Sequence, residues 1–390
     1  MTMETKRNIF REHLAEWLAA EGGRGKRGEI TNHICFTAKV HPKSVSRSFR
    51  RVQMRDPGTP ERRGRRATYG PDVTAALREV SDAASNPCGE NLHSMIPEYV
   101  RILERDGLWT HGVETTQKLL GMSLATVKRR AGKFAHLRKM IRGKSATKPG
   151  SILSVIPLRS GPWKDAPAGT AQIDTVAHCG DSIAGDFVYT VNATDVATLW
   201  GSRRAQWNKG QEQTVQSMEQ IDANFPFPVL EWHPDSGSEF INWFCKKWSE
   251  ARGQQMTRSR PNCKNDNCFV EERNGHIVRK WIGYVRFGEV AVVAALNELY
   301  DVLTPYLNHF AASKRIVSKE RIGARWKIKR EKKSFTPYER VLARADISEK
   351  AKAELRAEHE ALNPLTLKRE IDRRLEKVFD VHKRYAGPKS

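Results

Sequence analysis

Three acidic residues could do chemistry together: Asp174, Asp235 and Glu271, with 35 residues between the last two. Asp174 lies in Ala171-Gln172-Ile173-Asp174-Thr175-Val176, an apolar, strand-like run. Asp235 follows a short apolar stretch ending in His233-Pro234, and precedes Ser236-Gly237-Ser238-Glu239-Phe240. Glu271 stands in Phe269-Val270-Glu271-Glu272-Arg273-Asn274, where a helical pattern opens. Carboxylates offered by two strands and a helix suit hard divalent cations, which take oxygen ligands and complete their shells with phosphate and water. The chemistry such a set supports is magnesium-dependent phosphoryl transfer.

In order and local context these residues resemble the DDE transposases with a retroviral-integrase-type catalytic core, specifically the bacterial insertion-sequence transposases. The resemblance spans residues 163–338. It implies an RNase H-like α/β core with Asp174, Asp235 and Glu271 as catalytic residues and metal ligands. It also implies two Mg²⁺ ions per active site, with Mn²⁺ able to substitute. Attack on phosphorus needs an activated oxygen, stabilisation of phosphoryl charge and help for the leaving oxygen, and two ions about 4 Å apart supply all three. On this reading Asp174 bridges both ions, Asp235 completes one site and Glu271 the other. The family's asparagine three residues after the glutamate is present as Asn274, on the same helix face. Arg279 leans toward that side and Lys280 away, so Asn274 and Arg279 are expected at the DNA end. Glu272, turned by about 100° from Glu271 on an ideal helix, should miss the ions. Glu239 reads as structural, at the start of a helix whose dipole favours a carboxylate. His178 and His233 flank two of the acids, either as partners of the ligands or as buried polar groups.

The implied activity is that of a transposase: binding terminal inverted repeats, freeing 3′-hydroxyl ends and transferring them into target DNA. Two other readings compete. One is an RNase H-like nuclease or resolvase that cuts and never joins. The other is a domesticated DNA-binding regulator with an inactive core, against which three intact acids argue.

The chain has 67 Lys+Arg against 45 Asp+Glu, a formal charge of +22, a footprint suited to a polyanion. Double-stranded DNA, as element ends and target, is the expected partner, with a homo-oligomer assembled on it. No run reaches the roughly 18 apolar residues of a membrane helix, and the N-terminus has no signal-peptide core. A bacterial cytoplasmic protein, nucleoid-associated when bound to DNA, is expected. Six scattered cysteines fit reduced thiols. Cys263 and Cys268 have no second Cys/His pair at finger-like spacing, which argues against structural zinc.

The elements that must position the acids follow from periodicity, and the expected class is multidomain: all-α helix-turn-helix units, then an α/β core, then a basic C-terminal segment. Residues 1–54 hold two helical patterns broken at Val40-His41-Pro42. The second buries Val45 and Phe49 and presents Lys43, Arg47, Arg50 and Arg51, a helix-turn-helix for DNA. Residues 55–69 form a basic linker rich in Pro, Gly and Arg. Residues 70–140 hold a second helix-turn-helix, turning at Gly121 and N-capped by Ser123, with Leu124 and Val127 inward and Lys128 and Arg129 among the groove-facing residues. Residues 141–162 are a further linker. The core, 163–310, reads as strands 170–176, 187–194 and 197–205, helix 211–224, strand 229–233, helix 241–252, strand 255–258, a polar loop 259–266, and helices 267–287 and 290–308. Residues 311–390 form a basic region with a helical tail interrupted near Asn363-Pro364, suited to packing or oligomerisation. Strand-like alternation there places Arg325, Lys327 and Lys329 on one face, toward a DNA backbone.

Overall fold

The computed structural model describes residues 3–20, 23–54, 68–134, 156–159, 163–235, 237–260, 266–322 and 325–386. Most of the expected linkers 55–69 and 141–162, and Cys263, lie outside the described residues. The chain divides into two compact units, Met1–Thr68 and Tyr69–Ser390.

Among the described residues the first unit has four helices: α1 (Met3–Glu12), α2 (Leu14–Ala19), α3 (Arg24–Ala38) and α4 (Pro42–Gln53). Between α3 and α4, Lys39 adopts a left-handed conformation, and His41 caps α4, its Nδ1 accepting from the Lys43 amide at 3.3 Å. Pro42 at the first helical position has no amide hydrogen to waste. As expected, Val45 and Phe49 are buried, with Trp17 stacked on Phe49 at 4.4 Å. Ile34 and Phe10 complete this small core.

The second unit opens with α5 (Pro71–Ala83), α6 (Gly89–Arg105), α7 (Val113–Leu120) and α8 (Leu124–Ala131). Met122 is buried, whereas Leu124, expected inside, is exposed. Helix α8 also lies close against α6: a Cβ at Gly89 would come within 2.6 Å of Lys128 Cα. Ser123 occupies the N-cap position, but its hydroxyl meets that of Thr126 at 3.0 Å instead of a backbone amide.

A mixed α/β layer follows: β1 (Thr170–Ala177), β2 (Val188–Asp195), β3 (Gly201–Trp207), α9 (Gln211–Ala223), β4 (Glu231–Pro234), α10 (Trp243–Ala251) and β5 (Gln255–Met256). The five strands form one sheet in the order β3-β2-β1-β4-β5, with β2 antiparallel to both its neighbours and β1, β4 and β5 parallel. The third strand starts later than its periodicity suggests, because residues 196–200 are taken by a turn. Asp195 Oδ2 accepts there from both the amide and the hydroxyl of Thr198, each at 2.6 Å.

Next come α11 (Cys268–Arg273), a π-helical turn (Asn274–Arg279), α12 (Lys280–Ile282) and α13 (Ala291–Phe310). The single helix expected over 267–287 is therefore three segments, ended by Gly283 at φ 84°. Beyond them are the antiparallel pair β6 (Ile316–Ile322) and β7 (Arg325–Arg330), then α14 (Pro337–Leu342), α15 (Glu349–Ala361) and α16 (Pro364–Tyr385). The interruption near Asn363 is a helix start: its side chain accepts from the amides of Leu365 and Thr366.

Alternation along the strands sends side chains to two cores. Ala171, Ile173, Val191 and Ala193 pack with Met218, Ile221 and Cys245 of α9 and α10. Val176, Val188 and Ala205 join a larger core that runs through Leu296, Leu299 and Leu303 of α13 and Ile371 and Val378 of α16 to Leu77, Ile96 and Val127 of the preceding helices. The helices of residues 70–134 and the tail thus close on the core domain and share its interior. No described helix is long and apolar enough to cross a membrane.

Candidate active site

Strands β1 and β4 run parallel with Ile173 opposite Pro234, so the next residues along them are Asp174 and Asp235. After Asp235 the chain turns, the Gly237 amide donating to Asp235 Oδ1 at 2.8 Å. Glu271 sits in α11, whose start is fastened to β1. Gln172 Oε1 accepts from the amides of Phe269 (2.9 Å) and Val270 (3.2 Å), and Gln172 Nε2 donates to Asp266 O at 2.9 Å. Orphan amides at a helix start need such an acceptor. Gln172, two residues before Asp174 and on the same face of the strand, thereby sets where the Glu271 helix begins.

The acids bear on one another's electrostatics. The Asp174 carboxyl is pushed up to about 8, first by withdrawal from water and then by Asp235, with Glu239 and Glu271 adding to it; the Thr175 amide, 2.8 Å from Oδ1, opposes the rise. Asp235 is raised as well, by burial and then by Glu239, against the pull of the Gly237 amide and Lys209. Mutual repulsion of this kind is what a positive ion between carboxylates relieves.

Glu239 corrects a sequence expectation. Helix α10 begins only at Trp243, capped by Asn242, so Glu239 is not in its first turn. Its carboxylate is buried among the acids: Oε1 accepts from Lys209 Nζ at 2.7 Å and Thr175 Oγ1 at 2.9 Å, while Oε2 has no hydrogen-bond partner. A Cβ on Gly237 would come to 2.7 Å from Glu239 Oε2 and 2.9 Å from Asp235 Oδ1. Glycine at 237 therefore leaves a gap between two carboxylates.

Among the described residues, no three His, Cys, Asp or Glu side chains close on one point tightly enough to hold an ion as they stand. The donor set nonetheless fits a divalent cation: all oxygen, negatively charged, with a buried unpartnered oxygen on Glu239 beside that gap.

Asn274, expected at the DNA end, touches one of the acids. Its Nδ2 donates to Asp174 Oδ2 at 2.7 Å, and its Oδ1 accepts from Asn192 Nδ2 at 2.8 Å. Asn192 Oδ1 in turn takes the Nε–H of Arg203 at 3.4 Å, and Arg203 Nη1 donates to Thr304 Oγ1 at 3.2 Å. Arg279 is engaged elsewhere: Nη2 donates to Ala177 O at 2.8 Å, and the guanidinium lies over Tyr284. The π-helical turn explains this, since a wider turn changes the face on which residue 279 falls. Glu272 is exposed.

Both flanking histidines are buried. His178 Nε2 pairs with Thr190 Oγ1 at 2.8 Å, and burial holds the ring's pKa down to about 3. His233 pairs with Thr257 and Ser259 hydroxyls, and burial lowers it to about 4. Of the residues expected to meet DNA, Lys43, Arg47, Arg50 and Arg51 are exposed on α4, Arg129 on α8, and Arg325, Lys327 and Lys329 on β7. Lys128 is ion-paired with Glu90.

Gln172, Asn192, Arg203 and Lys209 were not singled out by sequence. Polar residues inside apolar strand runs were the available signal for the first three. Lys209 lies beyond β3 with no such mark.

No protein-family model matches the chain. It is similar to the "Uncharacterized protein y4rM" of Sinorhizobium fredii (strain NBRC 101917 / NGR234), at 33% identity over 306 residues, covering 77% of this chain and 86% of that protein. Among solved structures it is similar to the catalytic core domain of BIV integrase, with a TM-score of 0.29 and 15% identity, over 44% of this chain and 93% of the other.

Proposed function

The chain belongs to the same family as the Sinorhizobium fredii protein y4rM, and we propose that it is a metal-dependent polynucleotidyl transferase: a transposase that cuts at the ends of a DNA element and joins the freed 3′ ends to target DNA. The observation that carries this reading is that Asp174 and Asp235 end neighbouring parallel strands, with Glu239 buried beside them and the start of the Glu271 helix fastened to β1 through Gln172, in a chain of charge +22. Asp174, Asp235 and Glu271 would hold the metal, with Glu239 beside them. Bound Mg²⁺, or Mn²⁺ in its place, supplies charge neutralisation at the phosphoryl oxygens and an activated oxygen nucleophile. Asp174 and Asp235 place their carboxylates side by side because their strands are in parallel register, and Gln172 places Glu271 by fixing the start of α11. The exposed cations of α4, α8 and β7 would meet phosphates, and the helix-turn-helix pair α3–α4 is suited to reading base edges in a major groove.

The deciding experiment incubates the protein and Mg²⁺ with labelled duplexes carrying the ends of the DNA element that encodes it. Joined products support the reading. Cleavage without joining would make it a nuclease, and binding without either reaction a regulator.

A further inference from the structure

Asp174, Asn192 and Arg203 form a row across three strands: Asp174 is the register partner of Asn192, and Asn192 of Arg203. Asn274, from the π-helical turn, bridges the first two. The resulting chain of hydrogen bonds has only one possible direction. A guanidinium can only donate, so Asn192 must present Oδ1 to Arg203 and Nδ2 to Asn274. Asn274 must then present Oδ1 to Asn192 and Nδ2 to Asp174. Amide orientation, usually ambiguous, is here dictated by the arginine at the far end.

Arg203 is 1% exposed and makes no ion pair among the described residues; its hydrogen bonds run to Asn192 and Thr304. Burying a cation without a carboxylate partner is costly. At the other end of the row is an acid crowded by like charge. Two aligned amides join these opposite groups, with the positive ends of their dipoles toward Asp174. The effect on Asp174 is geometric as well. Oδ1 takes the Thr175 amide and Oδ2 takes Asn274, so one lone pair on each oxygen is occupied, the carboxylate plane is fixed, and one lone pair on each remains for another ligand.

We propose that Arg203, Asn192 and Asn274 form a directional amide relay that positions the Asp174 carboxylate for a divalent cation, with Arg203 setting the direction and Asn192 passing it on to Asn274. This rests on the metal-dependent reading above. Asn192 and Arg203 touch neither substrate nor metal in this scheme; they are positioning residues.

The sharpest variant is Asn192→Asp, nearly identical in shape. The introduced carboxylate would pair directly with Arg203 and could no longer donate to Asn274, so Asn274 must rotate and turn its oxygen toward Asp174. The protein should keep or raise its melting temperature while losing metal affinity. Mn²⁺ binding to the full-length chain, followed by the electron paramagnetic resonance signal of free Mn²⁺, is expected to weaken at least tenfold in Asn192→Asp and several-fold in Asn192→Ala, which removes the relay without reversing it. Should Asn192→Asp fail to fold, the Ala variant and Arg203→Gln, which keeps a donor at 203 and should stay within about threefold of wild type, carry the test. Wild-type binding with Asn192→Asp and Asn192→Ala both within twofold of it overturns the relay and leaves the proposed function standing. Absence of Mn²⁺ binding by the wild type overturns the proposed function and the relay with it.

Discussion

At the scale of residues, the proposed chemistry depends on oxygen atoms whose roles separate by substitution. Asp174→Asn, Asp235→Asn and Glu271→Gln should each abolish cleavage and joining while DNA affinity stays within about twofold, because they remove carboxylates and leave the exposed cations alone. Strand-transfer gels beside binding isotherms measure both, and appreciable joining by any of the three removes that residue from the site. Glu239→Gln should lower joining at least tenfold, whereas exposed Glu272→Gln should stay near wild type; equal loss in both would mean that burial among the acids is no guide to function. Gly237→Ala tests the gap between Asp235 and Glu239. The added Cβ meets the ends of flexible side chains, so stability should change by less than about 1 kcal/mol while activity falls at least tenfold. His178 makes a separate prediction about pH. The folded protein keeps its ring neutral, with a pKa of about 3, whereas the unfolded chain takes up a proton below about 6.5. The folded state binds fewer protons in that window, so this group's stability is fully present above 6.5 and is lost as pH falls toward 3, by up to about 1.4 kcal/mol per unit. Urea unfolding from pH 7 to 4 should show a flatter profile for His178→Gln than for wild type; parallel profiles would mean that the ring is protonated in the fold.

At the scale of elements, periodicity carried far because the core strands alternate and the turns hold Gly, Pro and Asn. The strand and helix order from Thr170 to Met256 is the order read from the sequence, and two of the acids are adjacent because β1 and β4 are parallel neighbours. What stayed hidden depends on register or on local departures from ideal geometry. Asn192 and Arg203 mean nothing until strand pairing puts them opposite Asp174 and each other. The π-helical turn, which turns Arg279 toward Ala177 O, has no signature in a scheme built on 3.6 residues per turn. Leu124 was placed inside by periodicity and is exposed, while its neighbour Met122 is buried. Two glycines give a test of this level. Gly169, just before β1, has φ 96°, and a Cβ there would lie 2.4 Å from Pro228 O. Gly169→Ala should cost about 2–4 kcal/mol from strain and backbone collision. Gly275, in the π-helical turn, has open space at its Cβ position, and Gly275→Ala should be neutral or stabilising by up to about 1 kcal/mol. Thermal melts of the two variants should move in opposite directions or differ by many degrees; similar losses would show that the π-helical turn needs glycine for its own sake.

At the scale of the whole molecule, charge and domain structure predict how recognition is divided. Affinity for DNA should fall steeply as salt rises, since each phosphate neutralised by Lys or Arg releases counterions; a slope of log affinity against log salt near zero would contradict the electrostatic reading of a +22 chain. Sequence selectivity is a different matter, because phosphate contacts position and base contacts specify. Residues 1–68 form a compact unit with an interior of its own, Phe10, Trp17, Ile34, Val45 and Phe49, and an exposed cationic face on α4. Helices α5–α8 lack such independence: Leu77, Ile96 and Val127 belong to the same core as α13 and α16. A fragment ending near residue 150 would strip that core of its other half and should precipitate or expose apolar surface, although it retains α3–α4 and α7–α8. The informative cut is at Thr68. Residues 69–390 should fold, with a cooperative melt, and bind DNA ends with the same salt slope less the cations removed, but with selectivity for the element's ends reduced at least tenfold. Footprinting of that fragment decides it: full selective protection would transfer recognition to α7 and α8, and the exposed face of α4 would then serve to hold phosphates only.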